Sequence, residues 1–209
     1  METVAVEGRR LGRPVDADSK STRARIVEVA LEAFGNEGFE GTTNRCLAHG
    51  CGISSAALYH YFPSKADIYV AACETILDVF AGVFARVCAA DATLAGRLTL
   101  IMEENLELGR TAPSVIGFVA GMPATAQRHP EVLRGVEHLG AGFRRLVREM
   151  ISGATRRDEV LRGADEAGFA EVVGVVLSGL GRLSARGQHE RHAAASRAFL
   201  ALIGPEDRR

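Results

Sequence analysis

The chain is poor in lysine: Lys20 and Lys65 are the only two among 25 basic residues. That is a compositional bias towards arginine and carries no function by itself. An excess of charge of either sign is also missing. The formal net charge is −1, which excludes a globally basic coat for nucleic acid. Residues 1–65 hold eight Lys/Arg and eight Asp/Glu, so any polyanion binding there depends on local placement. The four cysteines, Cys46, Cys51, Cys73 and Cys88, contain no CxxC pair, and they read as small apolar residues of a reducing compartment. Cys46, His49 and Cys51 form a trio without a fourth partner, across a helix-turn junction, so no metal is expected. The first 20 residues are polar, with no apolar core of a signal peptide. The most apolar late stretch, 169–183, is broken by Glu171 and Arg182 and is too short for a bilayer. A soluble, cytoplasmic protein with no membrane partner is the expectation. Phosphate loops after a strand, HExxH and GxSxG are absent too, and Glu103, Glu104 and Glu107 lack ExxH spacing. Catalysis and a cofactor are therefore not expected.

One absence is informative. From Gly41 to Ala66 there is no Asp or Glu, where the overall acid content would place about three. A surface facing phosphates excludes carboxylates, because each repels the polyanion. The window keeps Arg45, Lys65, His49 and His60, and hydroxyls at Thr42, Thr43, Ser54, Ser55, Tyr59, Tyr61 and Ser64. These are phosphate-binding groups.

The same window reads as a helix-turn-helix. Leu47, Cys51, Ile53, Leu58 and Tyr61 can share one small core. Ala48 is small where two short helices would cross. Gly52 suits a turn with positive φ, and Ser54 suits the N-cap of the following helix. Upstream, Ile26, Ala30 and Phe34 recur at helical spacing, and Gly38-Phe39 reads as the stop. Downstream, Ser64 to Asp67 has the form of a capping box opening a long helix. A neutral helical hairpin is the alternative reading of the window alone.

Together these segments resemble a known family. The run T-R-x-x-I-x-x-x-A-x-x-x-F, then G-F-x-x-T-T, then the helix-turn-helix and L-Y-H-Y-F-P-S-K is similar to the DNA-binding domain of TetR/AcrR-type transcriptional regulators, over roughly residues 21–75. The resemblance implies an all-α fold: a three-helix DNA-binding domain and a larger helical domain for ligand binding and dimerisation. The expected boundaries are 1–18 for a flexible basic arm, 19–65 for the helix-turn-helix domain and 66–209 for the rest. The resemblance assigns Thr43 and Arg45 to backbone or groove contacts at the start of one short helix. It places Ser55, Ala56, Ala57, Tyr59 and His60 on the recognition helix, with Lys65 as a phosphate contact; Asn44 and the N-cap Ser54 are further DNA-binding candidates. Cys46, Asn44 and the Ser55-Ala56 pair depart from the family's common acid, aliphatic residue and Lys-Gly, which bears on base preference. The two alanines can meet thymine methyls but offer no hydrogen bond. Arg9, Arg10 and Arg13, in a Gly/Arg/Pro-rich arm, could enter a minor groove; a solvated tail is the alternative.

Beyond Ser64 the pattern is helical, with segments expected at 64–89, 92–109, 113–128, 131–153, 165–187 and 190–203, an exposed loop at 152–163, and breaks at Pro113, Pro123 and Pro130. Gly174, Ser178, Gly181 and Ala185 form a small-residue stripe, and with Phe199 on the last helix they suggest a homodimer interface of the four-helix-bundle kind. An internal core face is the alternative. Phe80, Phe84, Met102, Phe118, Met122, Phe143 and Val147, with Asn105 as a polar member, are candidates to line an apolar small-molecule cavity. The reading that unites these features is a ligand-responsive repressor. It would bind a partly palindromic duplex operator and be released by a small apolar effector. An architectural DNA binder with a filled core is the competing class, and cavity volume discriminates the two.

Overall fold

The computed structural model describes residues 15–203, with side chains from residue 19 onward. Among these residues every regular element is helical, apart from one isolated bridge between Thr93 and Thr155. The order is α1 (Val15–Gly41), α2 (Asn44–Gly50), α3 (Ser55–Tyr61), α4 (Lys65–Ala90), α5 (Leu94–Thr111) and α6 (Pro113–Arg128). A 3₁₀ turn (Pro130–Val132) leads to α7 (Leu133–Ser152), α8 (Arg157–Leu161), α9 (Glu166–Ala185) and α10 (His189–Ile203).

Local chemistry sets most of these boundaries. The side chains of Thr43, Ser54, Ser64, Thr93 and Asp165 each accept a hydrogen bond from the backbone N–H three residues on. Pro113 opens α6, where its missing N–H costs nothing. Gly38 interrupts α1 with φ 73°, and the chain turns so that Phe39 is buried. Pro123 sits inside α6, within the helical segment expected at 113–128. The segment 152–163 is not a plain exposed loop either. It contains α8, buries Ala154 and Val160, and pairs Thr155 N–H with the Ala92 carbonyl at 2.7 Å.

The apolar residues form two clusters. The first joins α1, α2 and α3 to the first half of α4, and adds Phe118 and Met122 of α6 and Leu139 of α7. It therefore crosses the boundary expected at 65/66. The second holds the far half of α4 with α5, α7, α8 and α9. Buried Arg97 ties two helix ends to this cluster, donating to the carbonyls of Asp91 at 2.9 Å and Met150 at 2.8 Å. By length and apolar composition alone, α4 and α9 could each cross a membrane. In this fold α4 instead places Ile68, Ala72, Cys73 and Ile76 at the centre of the first cluster.

Candidate nucleic-acid interface and adjoining cavity

Three helices build the candidate interface. Leu47, Ala48, Cys51 and Leu58 are buried, which fixes α2 against α3 on α1. Gly52 turns the chain between them with φ 63°, a conformation open to glycine at little cost. Burial pushes the Cys51 thiol above its ordinary pKa, and that of Cys73 up to about 12, so both are inert packing groups. Cys46 is exposed, and among the described residues no group of three His, Cys, Asp or Glu is placed to hold a metal ion.

The outer face carries the residues the sequence singled out. Arg45, Ser54, Ser55, Ala56, Tyr59 and His60 are exposed, and Ala57 is half-buried. Thr43 and Ser54 use their oxygens as caps, receiving the N–H of Cys46 and of Ala57, each at 3.1 Å. Their O–H protons remain able to donate. Asn44 and Tyr59 are joined: the Asn44 amide donates to the Tyr59 hydroxyl at 2.7 Å and links the start of α2 to the second half of α3. The acids that flank the window are engaged. Glu40 accepts from Arg128 at 3.0 Å and lies 3.1 Å from His129 Nε2, and the His129 bond holds its carboxyl below the ordinary range. Asp67 accepts from Ser64 at 2.7 Å. The exposed surface of α2 and α3 thus presents hydroxyls, histidines and Arg45 without a carboxylate.

Three basic residues do work that their spacing did not reveal. Arg23 donates to the Tyr61 carbonyl at 2.8 Å and lies 3.9 Å over the Phe62 ring, so it clamps the end of α3. Arg25 donates to the Cys51 carbonyl and clamps the end of α2. Lys65, expected to meet phosphate, donates to the carbonyls of Phe39 at 2.6 Å and Thr42 at 2.9 Å. It fastens the start of α4 to the end of α1, and one of its three N–H donors is left over. Arg9, Arg10 and Arg13 lie outside the described residues.

Against this domain stands a cavity of about 270 Å³ among α4, α5, α6, α7 and α9. Phe80, Phe84, Asn105, Met122 and Phe143 line it, as expected from the sequence. Met102, Phe118 and Val147 do not, and these three are corrections. Met102 and Val147 are packed into the second cluster, at 2% and 1% exposure. Phe118 lies on the opposite side of α6, with its ring 4.7 Å from Tyr69 and 6.3 Å from Phe34. Helical spacing marks a side chain as buried, but it does not say which of two cores receives it.

The expected dimer stripe also divides. Gly174, Ser178 and Ala185 remain accessible on α9, and a Cβ at Gly174 would meet nothing within 4 Å. Gly181 is buried and lines the cavity, 4.0 Å from Ile116 through its would-be Cβ. Phe199 packs into the second cluster. Both turn inward. What lies open beside the stripe are Val172, Val175 and Leu202, at 50%, 68% and 77% exposure.

The connection between cavity and interface is a backbone contact. A Cβ at Gly35 in α1 would stand 2.1 Å from the Ser114 carbonyl oxygen, and one at Gly117 in α6 would stand 2.6 Å from that of Gly35. The two helices touch main chain to main chain. Helix α6 thus has the cavity on one side and α1 on the other.

Comparison with known proteins agrees with this architecture. The sequence profile of bacterial regulatory proteins of the tetR family matches residues 26–72. The HTH-type transcriptional regulator RutR of Escherichia coli (strain K12) is 38% identical over 77 residues. That stretch is 37% of this chain and 34% of RutR, so the match spans about a third of that relative. A TetR-family transcriptional regulator from Agrobacterium tumefaciens superposes with TM-score 0.77 at 16% identity, over 88% of this chain and 98% of the other. AibR, solved in complex with isovaleryl coenzyme A and operator DNA, superposes with TM-score 0.66 at 20% identity, over 88% and 98%.

Proposed function

We propose, from the premise that residues 26–72 form a TetR-type reading domain on a TetR-type fold, that the chain is a cytoplasmic, homodimeric transcriptional repressor which a small apolar effector releases from its operator. The observation that carries this reading is the carboxylate-free face of α2 and α3 beside an apolar cavity that shares α6 with the reading domain. Helix α3 would lie in the major groove, with Ser55, Ala56, Tyr59 and His60 towards the bases. The hydroxyls of Thr43 and Ser54 and the Arg45 guanidinium would donate to phosphates. A second subunit would pack on the exposed faces of α9 and α10, around Val172, Val175 and Leu202.

The cavity favours a sensor over an architectural binder with a filled core. An effector wedged between α6 and its neighbours would displace α6. The main-chain contact at Gly35 leaves no flexible side chain to absorb that movement, so α1 would follow and shift the reading helix. The ligand weakens DNA binding only by its differential affinity for the two states, and the coupling is reciprocal. The test is selection of bound duplexes from a random pool by the full chain. Recovery of a partial palindrome supports the reading. Enrichment of single asymmetric half-sites, or no enrichment, refutes it.

A further inference from the structure

The cavity wall is apolar but carries four polar side chains, and their partners differ. Ser178 donates its hydroxyl to the Gly174 carbonyl at 2.8 Å. Glu104 is neutralised by Arg86 at 2.8 Å. Two groups are left. The Asn105 amide nitrogen reaches the Leu177 carbonyl at 3.5 Å, which orients its oxygen away from that carbonyl, and Asn105 Oδ1 is shielded from solvent with no hydrogen-bond partner. Arg182 lines the same cavity, and none of the described carboxylates pairs with it. A buried acceptor without a donor is destabilising. Arg182 is exposed where it lines the cavity, so its guanidinium, with no described carboxylate beside it, can receive an anion that enters there.

Resting on the reading of this cavity as an effector site, we infer that its ligand is a compact aromatic acid. The carboxylate pairs with Arg182, the Asn105 side chain turns its unpartnered Oδ1 from the wall to an N–H or O–H donor on the ring system, and the ring packs on Phe80 and Phe143, whose own rings are 5.4 Å apart. The volume supports a compact molecule: about 270 Å³ lies just under the usual small-molecule range of about 300–1,000 Å³.

The test uses four probes of nearly one shape: indole-3-acetate, indole-3-acetamide, tryptamine and naphthalene-1-acetate. The chain contains no tryptophan, so indole fluorescence reports the probe alone. The expected order places indole-3-acetate about ten- to a hundredfold tighter than its neutral amide, as for one charge-assisted hydrogen bond. The amine binds weakest. Arg182→Gln removes the preference for acid over amide. Asn105→Leu removes the preference for indole-3-acetate over naphthalene-1-acetate. Ala120→Phe, which fills the cavity, abolishes binding of all four. If acid, amide and amine bind alike but Ala120→Phe still blocks them, the ligand class is wrong and the effector cavity stands. If no probe binds, or binding survives Ala120→Phe, the assignment falls together with the reading of the cavity as a small-molecule site. Arg182 is on the surface, so its variant keeps the wild-type circular dichroism; preserved acid preference in that folded variant also overturns the proposal.

Discussion

The Gly35→Ala substitution should do more damage than its single added methyl suggests. In helix propensity alone, Ala in place of Gly stabilises by about 1 kcal/mol. At Gly35 the new Cβ would stand 2.1 Å from the Ser114 carbonyl oxygen, and ordinary contact begins at 3.4 Å. Helices α1 and α6 must therefore part by about 1.3 Å, the difference between those two distances. The obstacle is main chain, which cannot rotate away as a side-chain tip would. Separation also loosens Phe118 from Phe34 and Tyr69. Overpacking of this kind costs about 1–3 kcal/mol, so after the propensity gain a net loss of up to about 2 kcal/mol should remain. The matched control is Gly121→Ala in α6, where a Cβ meets nothing within 4 Å. That variant should gain up to about 1 kcal/mol. Urea titration of both variants gives the stabilities, and operator titration shows whether moving α1 imitates the effector by weakening DNA binding. A Gly35→Ala variant as stable as Gly121→Ala, with unchanged operator affinity, would refute the rigid contact.

Val175→Arg places a charge on the open face of α9, so sedimentation should show a monomer that keeps its helical circular dichroism; an unchanged dimer would move the interface elsewhere. His192 gives a pH prediction. Its imidazole is buried between α9 and α10, 2.8 Å from Ser184 Oγ, and burial lowers its pKa from the ordinary 6.5. His189 and Arg110, the charged groups that also bear on it, push the same way, while the Met102 and Leu180 carbonyls oppose. The unfolded chain therefore binds the proton more readily than the folded one. Stability falls as pH drops below about 6.5, towards the lower folded value. Thermal melts between pH 7.5 and 5.5 should show this fall, and His192→Gln should flatten it.

The reading domain was legible because its signals are local. Gly52, Ser54 and Ser64 act on atoms within three or four residues, and each stands in the structure as its type implies. Helix positions beyond Ser64 followed from periodicity and proline for the same reason. The cavity was half legible. Phe80, Phe84 and Phe143 reach it, but Phe118 and Met102 carry the same apolar signal into other cores. Which neighbour a buried side chain meets depends on helix crossings that spacing does not encode. Lys65, Arg23 and Arg25 show the converse limit: a basic residue near a phosphate-facing surface also suits the carbonyls at a helix end. Gly181 was misread because a small residue permits close approach but does not name the partner, and here it opens onto the cavity.

The central claim is that the carboxylate-free face of α2 and α3 contacts duplex DNA. It is tested most directly by placing carboxylates there. Ser55→Glu with Ala56→Glu adds two negative charges at exposed positions of α3, away from the core formed by Leu47 and Leu58. The variant should fold with wild-type circular dichroism and keep its effector-domain ligand binding. Its affinity for the selected duplex should fall at least a hundredfold at moderate salt, from charge repulsion and lost groove contacts. Wild-type binding across a salt titration, in a variant shown to be folded, would contradict the account.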